Sequence, residues 1–162
     1  MLIIDSREKE GSKLVKLVEK RAKILNIQTE KKWLEIGDYV FSDVCFEAKS
    51  VVDFIGSVMS KRLWTQLDNM DRHYKNNVVI IYGDLSEGIY NIIEHSKSKL
   101  PIASRKIMLS NKFLGAIGRI VLDTDIKPFW VKSEEEASLI ITAICKMQPI
   151  KREVIRPQVF KR

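Results

Sequence analysis

IGDYVFSDVCFEAKSVVDFIGSVMSKRLWTQ, residues 36–66, is the stretch whose reading decides the fold. Residues 36–41 and 44–49 alternate well enough to be strands, and Ser42 and Asp43 between them are turn formers. A symmetric hairpin about that turn pairs residues whose numbers add to 85, which sets Asp38 opposite Glu47. Directly opposed side chains share a face with Cβ atoms about 5 Å apart, and Lys49, two residues beyond Glu47, shares it too. A bulge in the turn would break this register. Two carboxylates that close repel unless one takes up a proton or a cation sits between them. Hard divalent cations suit the second case, since they take one or two carboxylates together with phosphate oxygens and water. Such an ion polarises a phosphoryl oxygen and acidifies water, and a lysine alongside orients that water or stabilises developing charge. The pattern Asp-x8-Glu-x-Lys therefore allows metal-dependent phosphodiester chemistry. Spacing alone leaves open the plainer reading, a charged pair on an exposed sheet face.

Beyond Lys49 the pattern turns helical. Ser50 can cap a helix whose apolar stripe is Val51, Phe54, Ile55, Val58 and Met59. Asp53 lies in its first turn, where it either bonds the site lysine and joins the acidic cluster or only complements the helix dipole. Arg62 and Gln66 stand at i and i+4, neighbours on one helix face. Asp53 and Arg62 are nine residues apart, so on one continuous helix at about 100° per residue they would point to opposite sides.

Upstream, MLIID at 1–5 reads as a buried strand delivering Asp5, with Arg7 and Glu8 just past its carboxyl end. Ser12 can cap a helix over 13–26 with Leu14, Leu17, Val18, Ala22 and Leu25 inward and Asn26 as its stop. Residues 27–33 read as an outer strand, and Gly37 lets the backbone bend closely past Asp38. Downstream come a buried strand at 77–84, a helix at 86–95 with Ile89, Tyr90 and Ile93 inward, and an irregular basic stretch at 96–104. A helical region at 105–122, a strand at 127–132 and a helix at 134–147 follow. The apolar stripe of the 105–122 region is wider than one core face requires. Either it and the 134–147 helix are internal core, or they carry a second buried surface.

The 162 residues favour one domain, 1–148, followed by a basic tail, 149–162. Residues 151–162 carry five basic side chains and one acidic, more than half of the formal net charge of +7. The balance suits a polyanionic partner. At 45% hydrophobic and 30% charged the chain reads as globular. No apolar run reaches the length of a membrane span and the N-terminus lacks the layout of a signal peptide, so the expectation is an intracellular protein away from the membrane. Cys45 and Cys145 lack metal-ligand spacing and read as buried free thiols.

Four pieces in order carry a family resemblance: IIDSRE at 3–8, GDYVFS at 37–42, FEAKSVVDFIGS at 46–57 and KRLWTQLDNM at 61–70. With them the chain resembles the nuclease domain of the XPF family of structure-specific DNA endonucleases. The family pattern runs Asp-x-Arg-Glu, Gly-Asp-Tyr, Glu-Arg-Lys with an aspartate four residues on, then Arg-Leu-x-x-Gln. The resemblance implies an α/β fold, a central mixed sheet flanked by helices with a restriction-endonuclease-like core. It implies cleavage of branched DNA with Mg²⁺ or Mn²⁺. By position, Asp38 and Glu47 become metal ligands, Lys49 the residue that positions water, and Asp53 and Asp5 supporting carboxylates. Arg7, Arg62 and Gln66 become DNA contacts, and a helix break is expected near Ser60–Lys61. Family members associate through this domain, which here points to a homodimer or heterodimer through helices near 111–122 and 134–147. The family usually adds a tandem helix-hairpin-helix module, so a separate duplex-binding partner is a further expectation. One position departs: Ala48 stands where the family usually has arginine. That departure keeps a second reading alive, a catalytically weak partner subunit. A Holliday-junction resolvase of the same broad nuclease class ranks lower, since it would not predict the Asp-x-Arg-Glu and Arg-Leu-x-x-Gln pieces.

Overall fold

The computed structural model describes residues 1–8 and 12–147. Six strands form one mixed sheet in the order β2-β1-β3-β4-β5-β6. They are β1 (Leu2–Asp5), β2 (Thr29–Lys32), β3 (Tyr39–Phe41), β4 (Val44–Ser50), β5 (Asn76–Tyr82) and β6 (Lys127–Val131). The helices are α1 (Lys13–Ile24), α2 (Val51–Met59), α3 (Arg62–His73), α4 (Leu85–Glu94), α5 (Ile102–Asp123) and α6 (Glu134–Lys146). β3 runs antiparallel to both β1 and β4, while β1–β2, β4–β5 and β5–β6 are parallel.

The sheet separates two apolar layers, and strand alternation decides which residues enter each. On one side Val40, Cys45, Val79 and Ile81 pack with Phe54, Ile55, Leu63, Leu67, Phe113 and Ile120 of α2, α3 and α5. On the other, Leu2, Ile4, Tyr39, Phe46, Val78 and Ile80 pack with Leu14, Val15 and Val18 of α1 and Ala137, Ile141 and Cys145 of α6. β5 is buried on both faces, as its unbroken NVVIIY run requires.

The hairpin register is the one read from the turn: Tyr39 pairs with Phe46, Val40 with Cys45 and Phe41 with Val44. Ser42 takes a positive φ of 53° at the turn. Asn26 does the same just past α1 with φ 55°, the left-handed stop common after a helix. The break between α2 and α3 falls at Ser60 and Lys61, and Lys61 adopts φ 61°.

Other expectations need correction. The first strand of the hairpin is shorter than 36–41, because the ladder ends at Tyr39. Ser12 precedes α1 but its hydroxyl makes no capping bond, and Val15 rather than Leu17 joins the buried stripe. Tyr90 is exposed on α4. α5 begins at Ile102, so the irregular stretch ends at Pro101. Ala137, Ile141 and Cys145 of α6 are spent on the core against α1 and the sheet, so they are not available as a docking face. α5 differs: Phe113, Ala116 and Ile120 are buried, yet Ile107, Leu114 and Val121, spaced by seven, stay exposed. Among the described residues no helix is long and apolar enough to cross a membrane. The basic tail at 149–162 lies outside the described residues.

Candidate active site

Asp5 at the end of β1, Asp38 immediately before β3 and Glu47 in β4 form a row across adjacent segments of the sheet. Asp5 ends β1, and its N–H donates to the Asp38 carbonyl at 2.8 Å, extending the β1–β3 ladder by one pair. The Asp38 N–H donates to the Phe46 carbonyl at 2.9 Å. Alternation then turns all three side chains to the α2–α3 side of the sheet, opposite Ile4, Tyr39 and Phe46. Gly37 makes the approach possible. Its φ is +83°, and a Cβ there would stand 2.3 Å from the Cys45 sulfur.

The Asp38 carboxylate is held by the backbone. Its Oδ2 accepts the Ala48 N–H at 2.8 Å, and the charges of Glu47 and Lys49 both act on it. Burial pushes the Asp38 carboxyl well above its ordinary range, and the charges of Glu47 and Glu8 push the same way against the Ala48 N–H and Lys49. Glu8 is raised as well, by burial first, with Asp38 as its hydrogen-bond neighbour and Asp5 and Glu47 adding repulsion. Lys49 Nζ lies 3.2 Å from Glu47 Oε1, and both side chains are about nine-tenths buried, at 11% and 10% exposure.

Asp5 has a different environment. Burial would raise its carboxyl, but bonds from the Arg7 side chain and from the Arg7 and Leu34 N–H groups outweigh that and hold it low. Arg7 Nε reaches Asp5 Oδ2 at 2.9 Å, and its terminal nitrogen bonds both Asp5 and the Leu34 carbonyl. Arg7 thus ties β1 to the loop after β2, and its guanidinium lies over the Trp33 ring, 5.4 Å from the centroid.

A pocket of about 360 Å³ opens beside this row, lined by Asp5, Arg7, Asp38 and Glu47 on the sheet side and Gln66, Asn69 and Met70 from α3. The Gln66 Oε1 is buried without a hydrogen-bond partner among the described residues. The α2–α3 break is what brings Gln66 here. Arg62, one turn earlier, is exposed and reaches the Ser57 hydroxyl at 3.4 Å instead. Asp53 sits in the first turn of α2, where its N–H is capped by the Ser50 hydroxyl at 3.1 Å. Its carboxylate is exposed and makes no bond to Lys49. Glu8 was placed from sequence at the end of β1 but given no role, while Glu35, Asn69 and Met70 were not singled out, because only the packing of α3 and of the loop after β2 against the sheet brings them in.

The residues fit a divalent cation. Four carboxylates, Asp5, Glu8, Asp38 and Glu47, face two cationic side chains, Arg7 and Lys49. Arg7 is taken up by Asp5, so the excess negative charge falls on Glu8, Asp38 and Glu47. Among the described residues no three His, Cys, Asp or Glu side chains form a ligand cage by themselves. Asp38 and Glu47 with phosphate oxygens and water completing the shell match how Mg²⁺ is commonly held.

Residues 4–144 match the family model described as the ERCC4 domain. The chain belongs to the ERCC4 domain family. It is 35% identical over 118 residues to the DNA repair endonuclease XPF of Dictyostelium discoideum, 69% of this chain and 12% of that protein. A putative ATP-dependent RNA helicase of Methanocaldococcus jannaschii is 31% identical over 94% of this chain and 16% of its own length. The 3′-flap repair endonuclease Xpf of Saccharolobus solfataricus is 25% identical over 88% of this chain and 53% of its own. The chain thus spans a small part of the length of the first two of these relatives. XPF from Aeropyrum pernix shares the fold, with a TM-score of 0.69 at 22% identity over 97% of this chain and 69% of that one. The same protein in complex with DNA gives 0.68 at 22% identity.

Proposed function

We propose that this ERCC4 domain is a divalent-metal-dependent endonuclease that hydrolyses a phosphodiester bond in branched DNA. The observation that carries the reading is the convergence of Asp5, Asp38 and Glu47 on one pocket, with Lys49 buried against Glu47. A row of carboxylates that must either hold protons or accept a cation is a poor structural choice and a good metal site. Mg²⁺ or Mn²⁺ held by Asp38 and Glu47 would polarise the scissile phosphoryl group and acidify a water.

The chain's own residues do the rest. Lys49 donates toward the attacking water and balances charge on the phosphate. The Ala48 N–H keeps Asp38 in one orientation, as site chemistry requires. Asp5 fixes Arg7 and through it the Leu34 loop, so Arg7 serves to position that loop. Gln66 offers its side-chain amide to the DNA from the pocket wall. Arg62 and Asp53 lie outside the pocket lining; Arg62 suits a contact to the DNA backbone further along α3, and Asp53 a supporting charge at the start of α2. Self-association or pairing with a related subunit through the exposed Ile107, Leu114 and Val121 face of α5 completes the reading, together with a separate duplex-binding partner.

A second reading, a catalytically weak partner subunit, rests on Ala48. Its side chain packs in the α1–α6 layer, so the missing arginine would lie behind the sheet and away from the pocket. That favours the enzyme. The test is cleavage of a labelled panel, 3′ flap, 5′ flap, fork, four-way junction and plain duplex, with Mg²⁺ or Mn²⁺. The expected result is branch-selective cutting that Asp38→Asn and Lys49→Ala each reduce by at least about a hundredfold. Cutting unchanged in both variants would overturn the site. No cutting by the wild type with DNA binding intact would move the protein to the partner-subunit reading.

A further inference from the structure

Trp33 is 64% exposed and stacks with Arg7, one of the residues that line the pocket. A lone exposed apolar residue needs no explanation by itself, but Trp33 is held rather than loose. It sits between β2 and the segment that delivers Asp38. The next residue, Leu34, is anchored at both ends, with its N–H donating to Asp5 Oδ1 at 3.3 Å and its carbonyl accepting from Arg7. The Arg7 guanidinium then lies over the indole. One set of bonds therefore fixes both the supporting carboxylate Asp5 and the orientation of an aromatic plate a few residues from the proposed metal ligands. Most of that plate remains open to solvent. Neighbouring β2 ends in Lys32, which the sheet register places beside Asp5.

We propose that Trp33 is the stacking platform for an unpaired base of the DNA strand that leaves the pocket, and so helps this protein choose branched over plain duplex DNA. A flat, rigid indole beside a cation accepts the face of any base, but only when that base is out of its duplex stack. Arg7 is the positioning residue: it gives its hydrogen bonds to Asp5 and Leu34, and it holds the ring. The inference rests on the nuclease reading for its cleavage arm only.

The test uses the full chain as wild type, Trp33→Ala and Trp33→Phe. The substrates are a flap with a single-stranded arm, the same flap with single abasic positions stepped through the first nucleotides of that arm, and a plain duplex. Trp33→Ala is expected to raise KM for the flap roughly tenfold, the size of one lost base stack, with kcat within about twofold. Trp33→Phe should recover most of the loss, and duplex binding should not change. One abasic position should weaken the wild type and make no difference to Trp33→Ala. Equal flap KM in wild type and Trp33→Ala, or an equal loss on duplex, would overturn the proposal. If the wild type cuts nothing, the nuclease reading fails separately, and anisotropy with the same DNAs decides this one. A selective loss of arm-bearing DNA by Trp33→Ala upholds it, and no loss overturns it.

Discussion

Asp38 sets the balance between stability and function in this fold. Its carboxyl is raised by burial and by Glu47 and Glu8. In the unfolded chain it releases its proton near the ordinary value of 3.8, whereas the folded protein holds that proton to higher pH. Between the two the native state binds more protons, so without metal this residue's contribution is fully present at low pH and is lost as pH rises through the folded value. Asp38→Asn keeps the oxygen that accepts the Ala48 N–H and removes the buried charge. In chelator at neutral pH it is expected to raise stability by about 1 kcal/mol, as relief of a functional site commonly does, and to flatten the fall with pH. Denaturant melts across a pH series check both. Added Mg²⁺ or Mn²⁺ should raise the Tm of the wild type and leave that of Asp38→Asn nearly unmoved. Gly37 is the other decisive residue. Gly37→Ala meets the Cys45 sulfur and an unfavourable φ, so a loss of about 2–3 kcal/mol is expected. Adding Cys45→Ala should return part of it, measured in the same melts.

At the scale of elements, the α2–α3 junction is the hinge of the site. Lys61 holds φ 61° with no glycine to ease it. Lys61→Gly is expected to stabilise by about 1 kcal/mol and Lys61→Val to destabilise by a similar amount or more, because β-branched residues fit the left-handed region poorly. Equal melts for both would show that the junction does not constrain the fold. This junction was legible through the family resemblance, which sets a helix break near Ser60–Lys61; helix geometry supported it only if both Asp53 and Arg62 served the site, and neither lines the pocket. The hairpin register was legible too, because alternation on both strands and a Ser-Asp turn left one natural pairing. The pocket wall was not. Asn69 and Met70 carry no local signal, and only the packing of α3 beside the sheet brings them into the pocket with Asp38. Tyr90 and Leu17 were misplaced because helical periodicity gives the stripe but not its exact rotation against the core. The sequence left Asp53 open between the acidic cluster and the helix dipole; it is exposed in the first turn of α2, outside the pocket lining.

For the whole molecule, the two faces of the sheet have different duties. The α1–α6 layer closes on itself through Ala137, Ile141 and Cys145. The opposite layer gives the pocket one wall through α3 and leaves Ile107, Leu114 and Val121 uncovered along α5. If that strip joins two copies, Leu114→Arg is expected to shift the protein from dimer to monomer in light scattering and to leave the monomer's Tm within a few degrees. A wild type that is monomeric at micromolar concentrations would send the strip to a different subunit.

The bond from the Ala48 N–H to Asp38 has an evolutionary consequence. The group that steadies the acid belongs to the main chain, and nineteen of the twenty amino acids supply it equally well. Position 48 is therefore released from the chemistry in front of the sheet and answers only to packing behind it. A lineage can exchange a long cation there for a methyl group and keep the acid in its place, while proline alone would take away the donor. A comparison that weighs side chains marks position 48 as a departure from the family pattern, although the atom that holds Asp38 is supplied by any residue but proline.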